Sequence, residues 1–180
     1  IDPLFRPGLS VTVMPVAYFS KNGKQELQQL IIILNHLGLL LFESTAEEHD
    51  KALSIIQVLV HTLILVFGKT IVNEKISFEI LLQYATPPFR ILLLLLHRIA
   101  SGVPEVYWDI QCNNILGEAM REQLRQNLGN LSEIVTNKQS NKFENLIDEI
   151  RNVTNIMQYE TALPSVFGNV NSALEAYFNT

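Results

Sequence analysis

Four polar residues on one apolar segment form the clearest chemical pattern in this 180-residue sequence. Asp50, Ser54, Gln57 and His61 recur at i, i+4, i+7 and i+11, which on a regular α-helix makes a single line. Most other positions from Ala52 to Phe67 are apolar, and no Lys, Arg or Glu falls between Lys51 and Lys69. Two readings fit this line. An amphipathic helix turns such a stripe to water. A stripe one residue wide with apolar flanks also suits a cavity wall, where a few hydrogen-bonding groups orient a ligand.

A second candidate is Arg98, which follows the run Ile91–Leu96 and His97. It reads either as an end-of-helix cation near the C-terminal dipole or as a guanidinium fork for a carboxylate. Arg90 and His97 share a face seven residues apart, where a carbonyl cap is the expected role. Glu47-Glu48-His49-Asp50 is not expected to hold a metal, because consecutive helical positions point in different directions. None of the eight glycines builds a Gly-x-Gly-x-x-Gly or Walker-type loop. A Gly-x-Ser-x-Gly elbow and a His-Glu-x-x-His pair are absent too.

The elements that must position these groups fall into two kinds. Leu9–Ala17 reads as a valine-rich strand after Pro7-Gly8, Lys24–Leu37 as a helix, and Gly38–Glu43 as a short buried strand. Strand, helix, strand in this order resembles the end of a parallel α/β sheet. From Ser44 onward everything reads as helix. Ser44-Thr45 followed by Glu47-Glu48 is a start signal, and that helix is expected to run to Gly68. Shorter segments follow at Ser77–Tyr84 and from Phe89, the latter apolar nearly all round and so expected to be packed on every side. Amphipathic helices are expected over Tyr107–Asn137 and Lys142–Tyr159, with a last one over Ser172–Phe178. Phe143, Leu146, Ile147, Ile150, Val153 and Met157 form one stripe of the second.

Composition limits the class. Apolar residues are 48% and charged ones 17%, which excludes a disordered tail and a rod-like coiled coil. With 13 basic against 18 acidic residues and no basic cluster, a nucleic-acid partner is not expected. A single cysteine, Cys112, fits a reducing, cytoplasmic setting. The runs Ile55–Phe67 and Ile91–Leu96 are both shorter than the ~20 residues a membrane span needs, so no membrane is expected.

Several short segments, taken together, resemble prephenate and arogenate dehydrogenases. Asp2-Pro3-Leu4-Phe5-Arg6-Pro7 is similar to that family's His-Pro-Met-Phe-Gly-Pro motif. Glu48-His49-Asp50, Ile56-Gln57 and His61 resemble its Glu-His-Asp…Ile-Gln-Ala-Leu-x-His helix. Leu81-Leu82 through Thr86-Pro87-Pro88-Phe89-Arg90 resembles its Leu-x-x-x-Ser-Pro-x-Tyr-Arg segment. His97-Arg98-Ile99 with Tyr107-Trp108-Asp109-Ile110 resembles its Gly-Arg-Leu/Ile…Tyr-x-Asp-Ile run. The likeness covers about residues 1 to 160, in order and at family-like spacing.

The resemblance implies a mainly α fold: a short β-α-β remnant of a Rossmann sheet over residues 1–45, then a helical dimerisation and substrate-binding domain over 46–180. That second domain would be of the 6-phosphogluconate dehydrogenase C-terminal type. It implies NAD or NADP for the complete enzyme, with none expected to bind this chain alone, and a homodimer through the helical domain. Prephenate or arogenate is the implied substrate. Arg98 would pair with a substrate carboxylate, His61 would line the pocket, Gln57 and Asp50 would orient it or the substrate, and Tyr107 would close one wall. The family's motif histidine accepts the proton of the substrate 4-hydroxyl, and Asp2 stands in its place. Aspartate titrates near ~3.9 against ~6.5 for histidine, a much weaker base. Arg6, where the family has glycine, would offset that charge or pair with Asp2. The alternative is a non-catalytic helical interaction module derived from this family, and a Gly-x-Gly-x-x-Gly encoded just upstream would favour the enzyme. The chain alone is expected not to turn over, which an assay for NAD- or NADP-dependent oxidation of prephenate checks.

Overall fold

A computed structural model of the chain describes residues 14–18, 25–36 and 39–155. They divide into two compact units, residues 1–56 and 57–180. In the first, β1 (Met14–Tyr18) and β2 (Leu39–Glu43) pair in parallel, Met14 opposite Leu39 and Tyr18 opposite Glu43. The helix α1 (Gln25–His36) makes the crossover that a parallel pair requires. This is the β-α-β opening expected from the pattern. The strand expected over residues 9–13, the end of the helix expected to reach Tyr159 and the helix expected over Ser172–Phe178 lie outside the described residues, as does Asp2.

One continuous helical run, Ala46–Glu74, follows. Its start is a reciprocal cap: the Glu48 backbone N–H donates to Thr45 Oγ1 at 3.1 Å, and the Thr45 N–H donates to Glu48 Oε2 at 3.0 Å. The Thr45 backbone N–H, then its hydroxyl, hold the Glu48 carboxyl below the ordinary carboxylate range. The run divides into α2 (Ala46–Leu53), a π-helical wide turn (Ser54–Leu59) and α3 (Val60–Glu74). The wide turn was not anticipated, because side-chain pattern carries no sign of one extra residue per turn. Regular 3.6-residue spacing therefore does not describe the polar line across it.

Gly68 does not end this helix, which continues to Glu74 and closes on Lys75 at φ 54°. Gly68 is instead buried where α3 meets α5 (Pro87–Ala100), and a Cβ there would lie 2.5 Å from Leu96 Cδ1. Phe67 and Phe89 meet edge to face beside it, with centroids 5.8 Å apart. The expectation of apolar runs too short to span a bilayer needs correcting. Single polar residues such as Gln57 and His61 do not interrupt a helix, and this one, at 29 residues, is long and apolar enough by length and composition alone.

The remaining elements are α4 (Phe78–Gln83), α6 (Pro104–Asn113), α7 (Gly117–Thr136) and α8 (Ser140–Asn155). The single helix expected over Tyr107–Asn137 is two. Asn114 breaks it by leaving helical geometry and accepting the Leu116 N–H on Oδ1 at 2.9 Å, a local bond that competes with the helix. Nor is α5 covered all round: Leu93 and Ile99 are buried, whereas Leu92 and Leu95 are exposed. Of the described apolar residues, only Val58, Ile64, Leu93 and Ile99 are buried, Val58 completely, and all lie within the second unit.

Two glycines separate close approach from open space. Gly68→Val should destabilise the chain by about 1–3 kcal/mol by overpacking against Leu96. Gly129→Ala, on α7 with nothing within 4 Å of its added Cβ, should stabilise it by about 0.5–1 kcal/mol. Urea unfolding of both variants checks the pair.

Candidate functional site

The helices α3 and α6 meet along one turn of each. From α3 comes His61, half-buried with its Nδ1 turned away from solvent. From α6 comes Tyr107, whose ring meets the His61 ring edge to face, centroids 5.2 Å apart and planes at 79°. Offset and edge-on arrangements of this kind are the favoured ones for aromatic pairs. Room for the tyrosine depends on Gly102, where a Cβ would fall 2.6 Å from Tyr107 Cε2 and 2.7 Å from its hydroxyl. Two of the residues singled out from sequence are thus brought into contact.

The others are distributed. Gln57 is half-buried within the wide turn. Arg98 is half-buried in the last turn of α5, next to buried Ile99. Asp50 lies in α2, where its Oδ1 is 3.1 Å from His49 Nδ1. Ser54, the remaining member of the polar line, is buried and donates to the Lys51 carbonyl at 2.7 Å. Arg90 caps the turn before its own helix, with Nε donating to the Ala85 carbonyl at 3.4 Å, the kind of role expected of it. Among the described residues no three of His, Cys, Asp and Glu converge as metal donors.

One turn further along α6 is a polar cluster that sequence reasoning missed. Gln111 Nε2 donates to the Val58 carbonyl at 3.1 Å. Arg121 from α7 donates through Nη1 to the Gln111 carbonyl at 2.9 Å and to Gln111 Oε1 at 3.1 Å. The Thr62 hydroxyl lies 2.7 Å from the Val58 carbonyl and 3.2 Å from Gln111 Oε1. The available signal was the i, i+4 spacing of Tyr107 and Gln111, which puts both on one face of α6. Beside this cluster opens a groove of about 850 Å³, walled by Ile99, Gly102, Tyr107, Trp108, Gln111 and Arg121 among others. His61, Gln57 and Arg98 are not part of its wall.

Comparison with known proteins gives this arrangement a family. The sequence model described as "Prephenate dehydrogenase, dimerization domain" matches residues 45–149. That range contains the helix with His61, the Thr86–Arg90 segment and the Arg98–Ile110 segment. A 4-amino-4-deoxyprephenate dehydrogenase of Streptomyces pristinaespiralis is 31% identical over 153 residues, which is 85% of this chain and 52% of that protein. A probable arogenate/prephenate dehydrogenase of Methanocaldococcus jannaschii is 23% identical over 82% of this chain and 34% of its own length. A T-protein of Enterobacter agglomerans is 24% identical over 72% of this chain and 35% of its own. The chain therefore spans between a third and about half of the curated relatives it matches. With the family match covering more than half of its residues, the chain belongs to the prephenate dehydrogenase family and carries that family's dimerization domain.

Proposed function

We propose that this chain is the substrate-binding and dimerisation portion of an NAD- or NADP-dependent prephenate dehydrogenase, which oxidatively decarboxylates prephenate to 4-hydroxyphenylpyruvate. The observation that carries the reading is the overlap between the family match and the segment where His61 meets Tyr107. Residues 1–45 then close a nucleotide-binding domain, and residues 46–180 form the helical domain.

In this reading the Arg98 fork holds a substrate carboxylate through paired charge-assisted hydrogen bonds. Gln57 and Asp50 orient the substrate or His61. The rings of His61 and Tyr107 form a wall that excludes water and holds the six-membered ring of the substrate. Asp2, at the position of the motif histidine, takes the proton of the 4-hydroxyl as the ring becomes aromatic. None of the eight glycines forms a dinucleotide fingerprint, so no residue of this chain is assigned to the cofactor. The lone Cys112 supports a cytoplasmic setting.

A second reading concerns the substrate's C4 substituent. A relative at 31% identity is named for 4-amino-4-deoxyprephenate, and an amine at C4 is a cation near neutral pH. A carboxylate at position 2 complements an ammonium by charge, whereas it is a poor base for a hydroxyl. Titrating prephenate and 4-amino-4-deoxyprephenate into the chain separates the two readings by which ligand binds tighter. Arg98→Ala should weaken either ligand about tenfold or more, the scale of a charge-assisted pair. Unchanged affinity in Arg98→Ala would remove that residue from the site.

The homodimer rests on surface. Trp108 is 69% and Ile115 79% exposed, and Leu128, Val135, Ile150 and Val153 also face water. Large apolar side chains left in water in this number are what an obligate interface would cover. A second copy, rather than lipid, is the cover that the family's dimerization domain suggests. Sedimentation should show a dimer at micromolar concentration; a stable monomer there would overturn this part.

A further inference from the structure

We propose that Gln111, oriented by Arg121, is a positioning residue: it ties α6 to the end of the wide turn and thereby fixes His61 against Tyr107. The role for substrate rests on the function proposed above; the geometric role does not. The argument begins at Val58, whose side chain is fully buried, so its backbone sits at a fixed point of the core. Its carbonyl lies next to the junction at Leu59–Val60 where π-helical spacing returns to α-helical. Such junctions disturb the backbone ladder and recur at functional sites. Here two side chains take the carbonyl, the Thr62 hydroxyl at 2.7 Å and Gln111 Nε2 at 3.1 Å, the second coming from another helix.

The direction of the Gln111 amide is determined by its neighbours. Arg121 has only donors, so the oxygen it approaches at 3.1 Å must be Oε1. The amide nitrogen is then left facing the Val58 carbonyl, which has only acceptor capacity. Arg121 also holds the Gln111 main-chain carbonyl, so both ends of the residue are fixed. Gly117 is buried against this cluster, where a Cβ would lie 3.1 Å from the Gln111 carbonyl oxygen and 3.3 Å from Arg121 Nη1.

The consequence for His61 follows from spacing. His61 is three residues beyond Val58, and Tyr107 is four before Gln111. The hydrogen bond and the ring contact therefore join the same two helices one turn apart. Releasing the hydrogen bond lets α6 shift along the long helix, and the aromatic pair loses its registry.

The test follows the imidazole resonances of the four histidines in the 180-residue chain, above the pH of histidine titration. His61 is assigned with His61→Gln, and Tyr107→Leu supplies the position of the resonance without the ring. Gln111→Leu, and Gln111→Glu, which keeps the shape and the arginine pairing but has no N–H, should move the His61 resonance toward that position. His36, His49 and His97 should stay in place, and so should His61 in Arg125→Ala, whose ion pair with Glu122 is on the exposed side of α7. A His61 resonance unmoved in either folded Gln111 variant overturns the proposal, as does an equal shift in Arg125→Ala. Prephenate titrated into the same samples tests the link to substrate. Where the wild-type chain binds, Gln111→Leu should weaken binding several-fold, and wild-type affinity with a displaced resonance would overturn that link. Where the wild-type chain does not bind, the proposed function falls while the resonance shift still decides the positioning role.

Discussion

The helical unit is organised around Val58, held by its side chain in the core and by its carbonyl from outside its own helix. A buried carbonyl without a partner costs on the order of 1–3 kcal/mol, and a disturbed helical ladder invites that cost. Thr62 and Gln111 both donate to this carbonyl, and the second of these bonds brings α6 onto the long helix. Tyr107 then reaches His61 because it is one turn away on the same face, and Arg121 links α7 into the arrangement. The groove walled by Tyr107, Gln111 and Arg121 is a result of that docking.

A second constraint comes from what the core leaves uncovered. Four apolar residues are buried in the described part, while α5, α7 and α8 each keep large apolar side chains in water. The family model matched by residues 45–149, which include α5 and α7, is that of a dimerization domain, and a second copy is the cover proposed above for this surface. The long helix carries the same ambiguity in miniature. Its length and composition would suit a bilayer, yet the half-buried Gln57 and His61 along it are the kind of group a packed interface or site accommodates and hydrocarbon does not.

Much of the fold was readable in the sequence because it depended on local rules. The Thr45–Glu48 cap, the parallel strands flanking α1 and the Ser77 start of α4 all appear where composition and spacing put them. The failures have different causes, none of which side-chain periodicity registers. Gly68 looked like a stop, but it is a place of close approach to Leu96. The six-residue run Ile91–Leu96 looked like a helix packed on every side, whereas Leu93 is buried and Leu92 and Leu95 are exposed. The split at Asn114 depends on one side-chain hydrogen bond to Leu116, and periodicity does not register a break that preserves the apolar pattern on both sides.

The site was legible to a different depth. His61 and Tyr107 were named from family-like spacing, and they touch. Gln111 was passed over because a glutamine on a helix is ordinary until its partner is known, and Val58 lies 53 residues away. Polar residues that bind ligand are sparse and sit in motifs; polar residues that position them look like any others in sequence. The π-helical turn adds to this concealment. A line drawn at 3.6 residues per turn assumes a uniform helix, so Asp50, Ser54, Gln57 and His61 were grouped by a geometry that changes between Ser54 and Leu59. Where the backbone departs from its regular period, an interaction from another element has to hold it there. Such a departure is therefore a guide to residues that motif reading passes over.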